Sequence, residues 1–170
     1  ALCLAMAQVI IKEGLYKGDF IREQTDFPLL VRNDTRRYLR ESDLKRGGKD
    51  DQFYFWDAKD GKLKEALKNS LVLGDAEPVL EGEYEVQTLR GKVRVKPVLQ
   101  LLKEHVNEKY TPEQAAKVCG VAPRLIEQFA REFAAAKGVV NISTFNWGKF
   151  YHGGLIERSI IMVFALCGHM

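Results

Sequence analysis

An apolar run that leads through a polar and aromatic loop into an apolar segment is the feature that most constrains the fold of this chain. The run comprises Val139, Val140, Ile142 and Phe145. Its β-branched and apolar side chains predict a buried strand. The loop that follows contains Asn146, Trp147, Lys149, Tyr151 and His152. A strand, a loop and then a helix is typical of α/β folds, in which a helix N-terminus can bind an anion outside the carboxyl end of the sheet.

Two interpretations of this loop remain open from composition alone. In the first, its backbone N–H groups and the Lys149 cation bind an anionic ligand, on which an aromatic ring such as Trp147 can stack. In the second, it is an ordinary surface loop whose aromatic side chains pack on the domain. Both interpretations predict the same strand and the same helix.

The middle of the chain predicts two β-hairpins. Residues 53–56 and 62–66 flank Asp60-Gly61, a pair that can supply the positive φ of a tight turn. Residues 83–89 and 92–96 alternate between polar and apolar side chains on either side of Arg90-Gly91. A further short strand is predicted at residues 29–32.

Helical patterns occupy both ends. The first helix carries a broad apolar face and ends at Gly14, and another helix covers residues 98–109. Thr111 is predicted to cap a helix that ends at Gly120, and Pro123 to open one that continues to residue 137. We expect the buried stripe of that last helix to be Leu125, Ile126, Phe129, Ala130 and Phe133.

Residues 33–51 are charged and contain Gly47-Gly48. This composition favours a mobile connection with one short strand at residues 37–40, the least ordered part of the chain. The start of the chain is already in helical register and has neither a start methionine nor a basic leader, so we expect a piece of a longer polypeptide and no signal peptide.

Composition narrows the classes of function. The 170 residues are 46% hydrophobic, as in a globular domain. Lys and Arg number 26 against 23 Asp and Glu, and the charges are interspersed, so no basic surface for nucleic acid stands out. Cys3, Cys119 and Cys167 are far apart, which argues against disulfides and cysteine-ligated metals and favours small buried hydrophobes.

A helix-turn-helix is the alternative that the sequence keeps open. The helix pair in residues 111–137 has the spacing of DNA-binding examples, and it would make a DNA-binding or protein-interaction module. However, Glu127 and Glu132 on the second helix would repel phosphate. We therefore expect the pair to be structural and expect no nucleic acid partner.

Four stretches in order resemble the catalytic subunit of molybdopterin-dependent oxidoreductases, the dimethyl sulfoxide reductase superfamily. These are residues 1–31, residues 110–134, the segment N-W-G-K-F-Y-H-G-G-L-I-E-R at 146–158, and A-L-C-G-H-M at 165–170. The hairpin region resembles a subfamily insert of the branch that contains nitrate, selenate, chlorate and ethylbenzene-oxidising enzymes. The branch is often periplasmic, but this chain does not fix a location.

The resemblance implies an α/β fragment of a dinucleotide-binding-like region, with helices on a small sheet. Residues 1–32 would end one cofactor-binding domain, 33–96 would form the insert, and 97–170 would belong to a second α/β domain. The implied cofactor of the parent enzyme is bis(molybdopterin guanine dinucleotide) with molybdenum. The implied cofactor-facing residues are Phe145, Asn146, Trp147, Lys149, His152, Gly153 and Arg158. Many relatives have an acidic residue at the position of Gly154, so a carboxylate contact of theirs is absent here.

The resemblance also implies what the isolated chain lacks. No catalytic residue and no metal ligand is assigned to it, and the glycine-rich turns that flank these stretches in the family are not in the sequence. We therefore expect the isolated chain to be catalytically inactive and to bind no cofactor by itself. The implied partners are the remainder of the catalytic subunit and an iron–sulfur electron-transfer subunit. Uncovered apolar surface on the first and last helices would promote self-association.

Overall fold

The computed structural model describes residues 1–68, 73–142 and 148–169. Seven helices and five strands are defined within these ranges. The helices are α1 (Leu2–Lys12), α2 (Gly18–Gln24), α3 (Glu41–Leu44), α4 (Val98–Lys109), α5 (Pro112–Cys119), α6 (Pro123–Ala135) and α7 (Gly153–Cys167). The strands are β1 (Leu30–Arg32), β2 (Tyr54–Asp57), β3 (Lys62–Glu65), β4 (Tyr84–Thr88) and β5 (Gly91–Pro97). The mixed composition confirms the predicted α/β class.

The chain folds as two compact units. The first, called here the helical unit, comprises Ala1–Gly18 with Lys103–Met170. The second, called here the hairpin unit, comprises Asp19–Leu102 and contains all five strands.

Helix α1 is the centre of the helical unit. It packs against α5, α6 and α7. Every residue from 5 to 11 is buried, including the polar Gln8, whose amide donates to Asn107 Oδ1 at 3.0 Å. A helix that is covered on several sides needs apolar residues around most of its circumference, as the first eleven residues have. Gly14, with φ of 65°, ends this helical segment as predicted.

Helix α5, the first of the α5–α6 pair, begins and ends where the sequence predicts. Thr111 Oγ1 accepts from the Gln114 N–H at 3.3 Å, while Gln114 Oε1 accepts from the Thr111 N–H at 2.9 Å. This reciprocal capping box satisfies two N–H groups that have no partner inside the helix. Gly120, with φ of 72°, donates its N–H to the Ala116 carbonyl and ends α5.

The buried stripe of α6 is narrower than the sequence predicts. Ile126, Ala130 and Phe133 are buried, but Leu125 and Phe129 are 48% and 47% exposed. α6 packs on α1 and α5, and its Phe133 contacts Phe164 of α7, but these contacts cover only part of its circumference. Leu125 and Phe129 flank this stripe.

Both hairpins of the hairpin unit are confirmed. β2 pairs with β3 and β4 with β5, all antiparallel, with Trp56 opposite Leu63 and Val86 opposite Val93. β1 pairs with the far side of β5, which gives a three-stranded sheet in the order β1-β5-β4. The buried core of this unit is Leu30, Leu39, Tyr54, Val86 and Val95.

The expectation of a largely unstructured connection at residues 33–51 is wrong. The segment contains α3, the fully buried Leu39, and antiparallel bridges at Tyr38 and Arg40 where the short strand was predicted. Charged side chains tie it in place, since Glu41 pairs with Lys45 at 2.6 Å and accepts from the Lys49 N–H at 2.8 Å. Composition alone does not distinguish solvated charges from paired ones.

The predicted buried strand before the loop is also wrong over the residues that the structure describes. Residues 139–142 have no strand structure, and Val140 and Ile142 are 84% and 90% exposed. A β-branched run forms a strand only when a neighbouring strand can take up its hydrogen bonds. The described part of the helical unit contains no strand that could do so.

Candidate functional site

The loop that precedes α7 presents His152 at the helix N-terminus. His152 is the N-cap residue and has φ of 59° and ψ of 26°, in the left-handed region that few non-glycine residues adopt. Its carbonyl accepts from the N–H groups of Leu155 and Ile156 at 2.9 and 3.2 Å. Its side chain makes no capping hydrogen bond and is exposed beside the Tyr151 ring, with 3.8 Å between the ring centroids. The imidazole is therefore available to a ligand.

Gly153 begins α7 and is buried, and its N–H donates to the Phe150 carbonyl at 2.9 Å. Gly154 follows and is exposed, with no neighbouring heavy atom of the described residues within 4 Å of the position a Cβ would occupy. A ligand can therefore approach the backbone closely at Gly154.

Two cations stand on this part of the molecule. Lys149, three residues before the N-cap, and Arg158, in the second turn of α7, are both exposed. Arg158 follows Gly154 by four residues and Leu155 by three, so the three share one face of α7. Within the described ranges neither cation has an ion-pair partner. Two free cations beside a helix N-terminus favour an anionic group, because the helix dipole adds positive potential there.

The same surface is apolar between the charges. Leu155 and Ile161 are 59% and 50% exposed, and Phe150 and Tyr151 in the loop are 61% and 87% exposed. Isolated exposed hydrophobic side chains are ordinary, but several on one helix and its leading loop form a patch of the kind found at interfaces. This patch needs a cover of protein or of a flat ligand.

Three of the predicted cofactor-facing residues, Phe145, Asn146 and Trp147, lie outside the described residues. Of the others, Lys149 lies in the loop, His152 is the N-cap of α7, Gly153 is its first residue and Arg158 lies in its second turn.

The helix pair α5–α6 is integrated into the helical unit. Arg131, which a DNA-binding helix would direct to phosphate, instead makes a two-pronged ion pair with Glu13, at 2.7 and 2.9 Å. The hydrogen bond from Arg131 lowers the pKa of the Glu13 carboxyl below its ordinary value. Glu127 lies 3.4 Å from the same guanidinium. These contacts make the pair a packing element beside α1.

Among the described residues, no group of three or more His, Cys, Asp or Glu side chains is placed to hold a metal ion. All three cysteines are free thiols, of which Cys167 is buried as predicted and Cys3 and Cys119 are half-buried. No described helix has both the length and the apolar character required to cross a membrane.

Sequence reasoning missed one feature, a cavity of about 460 Å³ in the hairpin unit that is lined by four arginines. They come from chain positions 32 to 90, and only the β1-β5-β4 strand order brings them together. The sequence signal is the run R-R-Y-L-R at 36–40. The total number of charged residues in the chain does not show that arginines are concentrated there.

Comparison with known proteins gives a consistent set of relatives. The chain is 38% identical to the alpha subunit of perchlorate reductase from Dechloromonas aromatica over 99% of its length, and 38% identical to the alpha subunit of dimethylsulfide dehydrogenase from Rhodovulum sulfidophilum, also over 99%. It is 33% identical to the alpha subunit of respiratory nitrate reductase from Haloferax mediterranei over its entire length. These matches cover 21%, 19% and 19% of the respective relatives, so the chain spans about one fifth of their length. No family model matches the chain.

Proposed function

We propose that this chain, which belongs to the dimethyl sulfoxide reductase superfamily of molybdenum oxidoreductases, supplies one wall of a molybdopterin guanine dinucleotide site in a larger catalytic subunit. The observation that carries the proposal is the match to several alpha subunits along essentially the whole chain. A segment that resembles such subunits from end to end and spans about a fifth of them is expected to fold and act as part of one.

The residues that would face the cofactor are Lys149, His152, Gly153 and Arg158, together with Phe145, Asn146 and Trp147. The chemistry of the described members fits a dinucleotide. Phosphate oxygens accept hydrogen bonds from backbone N–H groups and from cations, and a helix N-terminus with Lys149 and Arg158 beside it offers both. His152 can donate to a phosphate or pterin oxygen, since its ring is exposed and not used as a cap.

The bound group would supply the molybdenum and its oxygen-atom chemistry, and the residues of this chain would bind and orient it. The isolated chain is proposed to be catalytically inactive, because one exposed loop and one helix do not enclose a dinucleotide. In the intact enzyme the partners would be the remainder of the catalytic subunit and an iron–sulfur electron-transfer subunit. The exposed patch on the loop and α7 is where the remainder of the subunit would pack.

Cofactor content of the full-length subunit tests the proposal. Lys149→Gln, His152→Gln and Arg158→Gln each remove a polar contact with little change in size. We expect each to lower the molybdenum and the acid-released guanine nucleotide per mole of purified subunit, and the double variant Lys149→Gln/Arg158→Gln to lower both further. Arg124→Gln is the matched control, because Arg124 is exposed on α6 and outside the loop.

Molybdenum and guanine nucleotide must fall together and in proportion, which separates loss of the dinucleotide from loss of the metal alone. Thermal unfolding of each variant before cofactor insertion shows whether the fold is intact. If the three variants retain the cofactor content of Arg124→Gln, the loop does not face the dinucleotide.

A further inference from the structure

The cavity of the hairpin unit has an uneven distribution of charge. Arg32, Arg37, Arg40 and Arg90 line it, and the acidic residues of its wall are Asp43 and Asp50. Its volume of about 460 Å³ lies within the range of about 300–1,000 Å³ that small-molecule sites occupy.

All three guanidinium nitrogens of Arg32 are paired with carboxylates inside the fold. Its Nε donates to Asp34 Oδ1 at 3.0 Å and one terminal nitrogen to Asp34 Oδ2 at 2.6 Å, while the other pairs with Asp43. Asp43 also accepts from the Arg40 backbone N–H at 3.0 Å. The Asp34 hydrogen bonds raise the pKa of Arg32 and lower that of Asp34. The single positive charge of Arg32 is therefore matched by two carboxylates, and Arg32 offers no positive charge to a ligand.

The other three arginines are not used in this way. Within the described residues, the guanidinium groups of Arg37, Arg40 and Arg90 make no ion pair. Among the described residues, Arg40 Nε is buried without a hydrogen-bond partner, and its guanidinium carbon lies 5.9 Å from the centroid of the Phe53 ring. This nitrogen has no surface open to solvent, so a ligand in the cavity would bind the arginines through their other guanidinium nitrogens.

Asp50 is the second carboxylate of the cavity wall, and its Oδ1 accepts from the Ser42 hydroxyl at 2.5 Å. The lining contains four arginines and two aspartates, and Asp34 pairs with Arg32 from outside it. The charge at the cavity therefore remains net positive. The Thr35 and Ser42 side chains add hydroxyl groups to the same wall.

We propose that this cavity binds an oxyanion of the phosphate or sulfate type, held by Arg37, Arg40 and Arg90. Guanidinium groups bind such oxyanions through two parallel N–H···O hydrogen bonds. The anion is either a free inorganic ion or the phosphate group of a small organic molecule, for which the cavity has room. This site is in the hairpin unit and is independent of the loop proposed above to face the cofactor.

Isothermal titration of the chain at constant ionic strength tests the site. The probes are inorganic phosphate, sulfate, pyrophosphate and ribose 5-phosphate, with chloride as the reference anion. We expect one saturable site per chain. Tighter binding of ribose 5-phosphate than of phosphate would assign an organic phosphate, and the reverse order would assign a free anion.

Substitution of the arginines tests whether the anion binds in this cavity. Arg37→Gln and Arg90→Gln, both at exposed positions, should each weaken binding about tenfold or more, and Arg40→Gln should do the same. Arg46→Gln is the matched control, because Arg46 is exposed in the same segment but does not line the cavity. It should bind as tightly as the unchanged chain.

Three outcomes would overturn the proposal. The first is no binding of any probe above the chloride reference. The second is an equal loss in Arg46→Gln and in the cavity variants, which would indicate general screening. The third is saturable binding of an acidic peptide such as a glutamate decamer with none of the phosphate probes, which would assign the surface to a protein partner.

Discussion

Phe133 is predicted to anchor α7, the helix whose N-cap residue is His152. Its ring packs edge-on against Phe164 of α7, with 5.1 Å between centroids and an interplanar angle of 79°. The Phe133 carbonyl oxygen lies 2.9 Å from His169 Nε2, and the two rings are 5.2 Å apart. The perturbation is Phe133→Ala, and the matched control is Phe129→Ala, which makes the same chemical change one turn earlier on α6.

The expected magnitude follows from burial. Phe133 is 8% exposed, so its truncation should lower the free energy of unfolding by about 3–5 kcal/mol, the cost of a buried Phe→Ala change. Phe129 is 47% exposed and removes about half as much buried surface, so its truncation should cost about 1.5–2.5 kcal/mol. The two variants should therefore differ by about 1.5–2.5 kcal/mol.

Urea denaturation followed by circular dichroism at 222 nm measures both variants, and amide hydrogen exchange shows where protection is lost. Phe133→Ala should raise the exchange rate of the amides in α7, because the rings of Phe164 and His169 lose their contact with the Phe133 ring while the contact of His169 with the backbone carbonyl remains. Phe129→Ala should leave α7 protected. Equal destabilisation by the two variants, or unchanged exchange in α7 for Phe133→Ala, would refute this account of how α7 is held.

Three further outcomes are expected. Gly154→Ala should stabilise the chain by up to about 0.5–1 kcal/mol, because Gly154 lies in α7 with open space around it. Gly120→Ala should destabilise the chain by about 1 kcal/mol, because φ is 72° at Gly120. Thermal unfolding compares the two variants, and a change of the same sign in both would contradict the backbone conformations given to these glycines. The pKa of Glu13 is lowered by Arg131, so this carboxylate contributes stability above the ordinary value of 4.5 that is lost as the pH falls through the lower folded pKa. Glu13→Gln should flatten the profile of unfolding free energy between about pH 5 and 3, and an unchanged profile would show that the ion pair does not form. Burial raises the pKa of the Cys167 thiol to about 11. Iodoacetamide at pH 8 should therefore modify Cys167 about a hundredfold more slowly than an ordinary thiol, as followed by mass spectrometry. Rapid modification of Cys167 in the folded chain would contradict its burial.

Local signals in the sequence predicted local structure well. Gly61 and Gly91 marked the two hairpins, and Thr111 and Gly120 marked the start and end of α5, because each has a conformational or hydrogen-bonding role that neighbouring residues determine. The alternating side chains of β4 and β5 fixed which face is buried. These predictions needed no knowledge of the remainder of the chain.

Predictions that depend on distant partners failed or were missed. Val140 and Ile142 have strand propensity but no strand beside them in the described structure, so propensity did not decide their conformation. Residues 33–51 resemble a solvated linker in composition, but Asp43 pairs with Arg32 and Glu41 with Lys45, which ties the segment to the fold. The arginine cavity depends on the approach of Arg37 to Arg90, which only the sheet topology produces.

The candidate site was predictable only in part. The pattern of residues placed Lys149 and His152 before a helix, and the helix begins at Gly153 as expected from the apolar segment that follows. The left-handed conformation of His152 was not predictable, because a histidine adopts it only when the surrounding loop determines it. What the loop binds was suggested by family resemblance, since the residue pattern alone also fits an ordinary surface loop.

An experimental structure of the full-length subunit loaded with its cofactor is the most direct test of the central claim. The measurement is the shortest distance from the dinucleotide to the polar side-chain atoms of Lys149, His152 and Arg158. The account predicts at least one direct hydrogen bond, with a heavy-atom separation of about 2.7–3.2 Å. If the loop at residues 148–158 packs only against protein, with the dinucleotide more than about 10 Å away, beyond the reach of a screened charge, the account is contradicted.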